Sequence, residues 1–583
     1  MAQGWLQIGI FCLVLLAIVP LLGSYMARVY NGQPVALERA FGPVERMIYR
    51  AIRVRPERGQ GWKAYTRSVI LFSLAGWIVL YAILRLQGHL PLNTQSFHAM
   101  PWDVSFNTVS SFVTNTNWQY YAGETSLSYL SQMAGLAVQN FLSAAVGMAV
   151  AVALIRGIVS RSGKELGNFW QDVTRSVLYI LLPLAFIGGL LLASQGVIQS
   201  LSHYSDFVNV TGATQQFAWG PVAGQEAIKL IGTNGGGFFN VNSAMPFENS
   251  TGFTNFIEML MVLAIPAALT FTYGRMVGNR RQGWAIFAAM AIMFIAAVAV
   301  VYTAESHGTP AMHAAGLNAS AVDGSTGGNL LDKEQRFGIA DSALFNAVTT
   351  VTSCGAVNSA LESFSGLGGA VPMASLGTSE VIFGGVGSGL YGMLLFVILA
   401  VFIGGLMVGR TPEYLGKKIE AREIKLATLG ALYMPFAVLI TTALAVGTAH
   451  GQKSIYSDGP QGFSESLYAY LSQGNNNGSA FAGYTGFVQP TPGNAGSFGI
   501  TFADLLGGGS MLFVRFAPIL IVLAIAGSLA GKKVAPAGLG TLRTDSPTFV
   551  VLLIGIVLLI GALTFFPALL LGPVVQSLSE GLF

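Results

Sequence analysis

Four clusters of Gly, Asn, Thr and Ser stand out as groups that could do chemistry. They are Thr114-Asn-Thr-Asn-Trp-Gln119, Thr233-Asn-Gly-Gly-Gly237, Ser353-Cys-Gly-Ala-Val-Asn358 and Asn475-Asn-Asn-Gly-Ser479. Each follows a semi-apolar stretch of 10–12 residues, too short to cross a bilayer. Gly lets the backbone adopt positive φ and brings carbonyl oxygens close to a ligand. Asn and Thr brace such a backbone through side-chain hydrogen bonds. Carbonyl oxygens converging from several loops replace the hydration shell of a cation. No ring of acidic side chains occupies these positions, which argues against a divalent ion. Dehydrated monovalent cations suit such a site, and K+ is the best-known case. The residues expected to form it are Asn115, Thr116, Asn117, Gln119, Thr233, Asn234, Gly235, Ser353, Cys354, Gly355, Asn476, Asn477 and Gly478.

The clusters recur. Aligning Thr116, Gly235, Gly355 and Gly478 gives spacings of 119, 120 and 123 residues. A near-constant period marks repeated units. The first and third units agree further, since Phe106-Asn107-Thr-Val109 and Phe345-Asn346-Ala-Val348 lie 239 residues apart. Irregular backbone at membrane depth survives only where protein or a watery cavity covers it. Four such loops around one axis would build a central constriction, with the negative ends of the preceding short helices aimed at it.

The elements that must position these loops follow from composition. Of 583 residues, 10% are charged and 53% hydrophobic, against about 25% charged in a soluble domain. Mean hydropathy is +0.60. The chain is therefore an integral membrane protein, and disordered, disulfide-scaffold and nucleic-acid-binding classes are excluded. Two cysteines make no disulfide framework. Ten apolar stretches are long enough to span, at 5–27, 68–88, 131–155, 175–195, 254–277, 283–304, 380–408, 425–447, 505–530 and 548–571. Segments 28–67, 156–175, 275–281, 409–425 and 531–547 hold 24 of the 30 Lys and Arg residues, and the opposite loops hold four. That bias puts the basic loops in the cytoplasm, and both termini and the four cluster-bearing loops outside. The expected fold is an all-α polytopic membrane protein of ten transmembrane helices, with four helix–pore loop–helix units and one extra helix at each end. The divisions are 1–67 (extra helix and basic loop), 68–160, 161–281, 282–418 and 419–533 (the four units), and 534–583 (the last helix).

Several residues inside the membrane add to this reading. Arg515 interrupts the ninth stretch, and an intramembrane arginine is costly enough to face a cavity or a partner. Below a cation site it would repel cations and block a straight exit. Glu380, at the start of the seventh stretch, is its natural counter-charge. Gly384, Gly385, Gly387, Gly389 and Gly392 crowd one segment. At about 0.8–1.0 kcal/mol each relative to Ala, they should break that helix into a gating loop. Their match to G-x-G-x-x-G lacks the strand–helix context of a nucleotide site. Cys354 is expected to contribute its carbonyl rather than its thiol. Lys229 lies just before the second cluster, where a lysine is odd beside a cation path, and reads as snorkelling outward. His307 and His313 fit no transition-metal spacing. No phosphate-binding loop and no phosphorylation motif is present, and the longest basic loop is about 40 residues. The chain has no catalytic centre, and energy coupling must come from a partner.

These strings carry a resemblance. Together with Gly384-Gly-Val-Gly-Ser-Gly-Leu-Tyr-Gly-Met393 and Gly409-Arg-Thr-Pro-Glu-Tyr-Leu-Gly-Lys-Lys418, the four clusters resemble the potassium-binding A subunit of the Kdp high-affinity potassium pump. The four-loop layout looks like the wider potassium transporter superfamily. The resemblance covers nearly the whole chain. It implies a bacterial inner-membrane complex in which a separate P-type ATPase subunit binds and hydrolyses ATP and two small membrane subunits complete the assembly. It implies K+ as the transported ligand and no organic cofactor. It also implies that K+ passes sideways to the ATPase subunit, with Arg515 below the filter and Glu380 nearby. The alternatives are a self-sufficient K+ channel or ion-coupled K+ transporter of the same superfamily, and a scaffold whose repeats are only ancestral.

Overall fold

A computed structural model of the chain describes residues 2–161, 163–317, 319–320, 322, 327–379, 381–407, 409, 411–485, 502–535 and 542–578. Ten helices are long and apolar enough to cross a membrane: Ala2–Tyr30, Trp62–His89, Ser131–Val159, Phe169–Ser194, Gly252–Met276, Arg280–Ala314, Ser388–Met407, Ala421–Gly447, Phe502–Ala530 and Pro547–Leu578. They are spans one to ten. Five of them, spans four, five, six, eight and ten, start where a polar side chain satisfies free N–H groups of the first turn. Asn168 caps span four, and Thr251 and Thr254 cap span five reciprocally. Asn279 and Ser546 cap spans six and ten.

Four short helices, Trp102–Val113, Val222–Ile231, Gly338–Val351 and Gly459–Gly474, lie between spans two and three, four and five, six and seven, and eight and nine. These are the pore helices. Their lengths of 12, 10, 14 and 16 residues extend beyond the expected range in the last two. Spans three and five line the interior, with 83% of their most apolar stretch buried, against 28% and 22% for spans one and two. Span one packs along span five, and span nine packs against spans three and eight and the first pore helix.

The seventh span departs from the expected 380–408. Residues 366–377 form a separate short helix, residues 381–387 are not helical, and the span begins only at Ser388. The glycine-rich stretch breaks the helix as expected, but Gly389 and Gly392 fall inside the resumed helix. Glu380 lies outside the described residues.

Sequence reading also missed small elements. An exposed hairpin pairs Ser205–Val208 with Thr214–Phe217, and Glu413–Tyr414 pairs with Lys417–Lys418. At the basic end, helix Glu38–Ala51 is held by Glu45, which accepts from Arg175 (2.8 Å), Tyr179 (2.6 Å) and Tyr49 (2.7 Å). Arg156 binds Asp172 through both guanidinium nitrogens at 2.7 and 2.9 Å, locking spans three and four together. Lys417 donates to the Gly157 and Leu529 carbonyls at 3.0 and 2.6 Å, so one ammonium closes the C-terminal ends of spans three and nine. Burial, then the neighbouring Lys532, pushes that ammonium down to about 8.

Candidate functional site

The four pore loops meet. In the first, second and fourth, the register is fixed by one repeated hydrogen bond from the loop to the carbonyl five residues back in its pore helix. Thr116 N–H donates to Ser111 (2.9 Å), Asn234 N–H to Lys229 (2.9 Å) and Asn477 N–H to Ser472 (2.8 Å). This register sets Asn117, rather than Thr116, beside Gly235, Gly355 and Gly478. In loops three and four a hydroxyl six residues upstream accepts from the glycine N–H at the same place. The Gly355 N–H reaches Thr349 Oγ1 and the Gly478 N–H reaches Ser472 Oγ, both at 3.0 Å. That recurrent Ser or Thr was a sequence signal left unread.

Contacts between loops close the ring. From loop one to loop two, Asn115 Nδ2 donates to the Thr233 carbonyl (2.7 Å) and Asn117 Nδ2 to the Gly235 carbonyl (3.0 Å). Gly237 N–H donates to Gln119 Oε1 at 2.9 Å. Loop two meets loop three where a β-carbon on Gly235 would lie 3.0 Å from the Gly355 Cα and 3.2 Å from the Cys354 carbonyl oxygen. From loop four, Asn477 Nδ2 donates to the Thr349 and Thr352 carbonyls (2.7 and 2.8 Å) and Asn476 Nδ2 to Thr116 Oγ1 (2.8 Å). The asparagine amides therefore tie each loop to its neighbour, through backbone carbonyls for Asn115, Asn117 and Asn477 and through a hydroxyl for Asn476.

Glycine is required where the ring is tightest. Gly355 and Gly478 have φ of +87° and +99°. A β-carbon there would overlap the carbonyl oxygens of Asn477 and Thr116 respectively. Loop one has Asn117 in this place, at φ +57°. Asn is the side chain that best tolerates the left-handed region after Gly, which explains how this loop manages without a glycine. Asn115, Thr233 and Asn476 also have positive φ. Cys354 is fully buried, and burial pushes its thiol up to about 12. It is thus a neutral thiol.

Lys229 does not snorkel outward. It is buried, 2.5 Å from Glu226 and 3.8 Å from Glu248, and it donates to Asn242 Oδ1 at 3.0 Å. Asn242 in turn donates through Nδ2 to the Gly236 carbonyl. The second loop is therefore braced through Asn242, a residue that no sequence pattern singled out. Burial pushes the Glu248 carboxyl above its ordinary range, against the pull of Lys229.

Under the ring lies the loop 381–387. Val386 N–H donates to Thr233 Oγ1 (2.8 Å) and Gly384 N–H to the Val351 carbonyl (2.9 Å). Gly384 and Gly387 have positive φ, Gly387 packs on the Gly147 carbonyl, and Gly385 abuts Ser353. Gly389 packs against the Phe383 carbonyl. Arg515 is buried at this level and donates to the Ser143 carbonyl at 3.2 Å. Ser143 Oγ donates to Asn115 Oδ1 at 2.9 Å, so one residue separates the guanidinium from the first loop. Arg515 shares a small cavity with Asn476, Ser379, Ser388 and Tyr391. On the other side of the ring opens a vestibule of about 440 Å3, reached by Asn117, Gln119, Gly236, Gly355 and Gly478. The arrangement is a ring of four contacting loops with a polar mouth on one side and a buried arginine on the other.

The chain is similar to known proteins over nearly its whole length. Residues 9–578 match the family described as potassium-transporting ATPase A subunit. A potassium-transporting ATPase potassium-binding subunit from Mesorhizobium japonicum is 53% identical over 577 residues, covering 99% of this chain and 98% of that protein. One from Sorangium cellulosum is 53% identical over 586 residues, covering 99% of each. Among solved structures, the chain is similar to the potassium transporter TrkH from Vibrio parahaemolyticus, at 14% identity and a TM-score of 0.47, covering 76% of this chain and 84% of that one.

Proposed function

The chain belongs to the potassium-transporting ATPase A subunit family, and from that premise we propose that it selects K+ at the four-loop ring and delivers it to a partner P-type ATPase subunit for uphill import. The single observation that carries this reading is the closed ring, in which asparagine amides bind each loop to the next. Loops cross-braced in this way can present backbone oxygens that substitute for the hydration shell of K+ without collapsing onto a smaller ion.

On this reading K+ arrives in the vestibule from outside, sheds water among the carbonyls of loops one to four, and stops above loop 381–387. Arg515 places a permanent positive charge under the site, and the energy of a cation rises as it approaches. A straight passage to the basic face is thereby closed, and the ion leaves sideways, toward the ATPase subunit. Glu380 would balance Arg515 and set the height of that barrier. The four span–pore helix–span units, bounded at 68–160, 161–281, 282–418 and 419–533, supply one loop each, and spans one and ten flank them. The basic loops face the cytoplasm and both termini face outward, in a bacterial inner membrane. Two small membrane subunits complete the assembly, and ATP is bound by the partner alone.

The test is purification of the assembly in mild detergent from K+-starved cells, followed by assay of ATP hydrolysis against K+. Co-purification of a P-type ATPase chain with K+-stimulated hydrolysis is the expected result. Recovery of the chain alone, with K+ flux into liposomes in the absence of ATP, would make it a self-sufficient channel or transporter instead.

A further inference from the structure

Away from the ion path, the basic end of the molecule holds a cleft of about 500 Å3. It is lined by Arg53, Arg55, Arg58 and Arg67, with Gln60 and Trp170. Unlike Arg156 and Arg175, which are neutralised by Asp172 and Glu45, these four guanidiniums have no carboxylate within ion-pair distance among the described residues. Glu165 packs over Gly59 at the rim without reaching any of them.

The cleft is built. Asn168 Nδ2 donates to the Arg55 and Arg58 carbonyls, both at 3.1 Å, and fixes the turn between them. Gln60 is bound on both sides of its backbone, to the Gly167 carbonyl (2.7 Å) and the Leu166 N–H (2.8 Å). Its side chain accepts from Phe169 N–H at 2.9 Å. Span two begins immediately at this wall, and its N-cap, Gly61, offers no side-chain acceptor to the first-turn N–H groups. Four unpaired guanidiniums beside an uncapped helix N-terminus form a site for a phosphate group.

The apolar continuation of the cleft decides the source of that phosphate. Arg67 shares one face of span two with Ile70, Leu71, Leu74 and Ile78, at i+3, i+4, i+7 and i+11. All four are exposed, by 42%, 55%, 50% and 56%. A free phosphate or nucleotide would use the arginines and leave this stripe idle. A lipid would place its headgroup in the cleft and its acyl chains along the stripe. We propose that this cleft is a binding site for the phosphate headgroup of an anionic phospholipid, held by Arg55, Arg58 and Arg67, with Arg53 completing the rim. The proposal depends on the cleft lying at the membrane boundary and on no assignment of which face is cytoplasmic, so it fails or holds separately from the transport reading.

The experiment is native mass spectrometry of the full chain released from nanodiscs of equal parts phosphatidylglycerol and phosphatidylcholine. Wild type is compared with R55Q/R58Q/R67Q and with the single variant R58Q, and K+ binding serves as the control for folding. Retained phosphatidylglycerol in wild type, reduced about 100-fold in apparent affinity in the triple variant and by about fivefold in R58Q, is the expected result, since each basic group near a lipid headgroup contributes about a factor of five. Equal retention by a K+-binding variant, or equal retention of phosphatidylcholine, would overturn the proposal. So would displacement of the lipid by millimolar inorganic phosphate, which would make the ligand a soluble anion. A photo-cross-linker at position 58 in the intact assembly should capture lipid, and capture of a protein chain would assign the cleft to a partner subunit.

Discussion

Replacing Lys229 with Met tests the least expected part of the ring. Among the described residues Lys229 is the sole ion-pair partner of Glu226 and Glu248, and all three side chains are at most 1% exposed. Removing one member of a buried ionic cluster leaves uncompensated charge and costs about 3–5 kcal/mol. That is a large part of the about 5–15 kcal/mol by which domains are stable. Lys229→Met should therefore lower the yield of folded protein and its thermal midpoint in detergent. Adding Glu226→Gln should restore part of both, because the nearest orphaned carboxylate is gone. Asn242→Asp separates stability from selectivity. It keeps an acceptor for Lys229 but exchanges the amide that donates to the Gly236 carbonyl for a carboxylate oxygen. The lost donor leaves a buried acceptor unsatisfied, at about 1–3 kcal/mol. The half-saturating K+ concentration for ATP hydrolysis by the assembly should rise about tenfold or more. Wild-type yield and melting for Lys229→Met would refute the argument from buried charge. Unchanged K+ half-saturation and K+/Na+ discrimination for Asn242→Asp would show that the brace does not reach the ion.

Gly478→Ala should lose about 1–2 kcal/mol through its left-handed backbone alone, and its methyl would displace the Thr116 carbonyl. K+/Na+ discrimination in the ATPase assay should fall, whereas Asn117→Gly should be tolerated and Asn117→Val should not. Gly235→Asp should damage selectivity or affinity by at least about tenfold, because a carboxylate enters a position that only backbone fits, and unchanged discrimination would remove loop two from the site. Arg515→Met removes the buried charge under the ring and should lower the amount of K+ imported per ATP hydrolysed, so fully coupled uptake would refute the barrier. Glu362, in the outer loop, is pushed up to about 7 by burial and then by the Glu465 carboxyl, from about 4.3 when unfolded. The folded chain holds that proton to higher pH, so this group's stabilisation is present below about pH 4.3 and is lost as pH rises through about 7. Glu362→Gln should raise the thermal midpoint at about pH 8 and leave it unchanged near pH 4, and a difference independent of pH would refute the assignment.

Much of this protein was legible in its residues because the relevant physics is local. Hydrophobic length alone marks a span, so all ten spans were placed, although one end of the second, fourth, sixth, seventh and tenth lay about six to ten residues from where it was expected. Four Gly- and Asn-rich clusters at near-constant spacing announced four loops, and an arginine in an apolar run announced a buried charge. The glycine-rich segment signalled a break, but its extent depended on packing against Gly147, Thr233 and Val351, so the helix resumed at Ser388. Which loop neighbours which was decided only in three dimensions, by hydrogen bonds between residues such as Asn115 and Thr233 or Thr116 and Asn476, 118 and 360 positions apart. The alignment of Asn117 with the glycines rested on backbone φ and on a carbonyl five residues upstream, neither of which composition reveals. Lys229 looked misplaced because its meaning lies in Glu226, Asn242 and Glu248, which only folding gathers around it. Burial makes that gathering obligatory, since a lone ammonium in this interior would not remain charged.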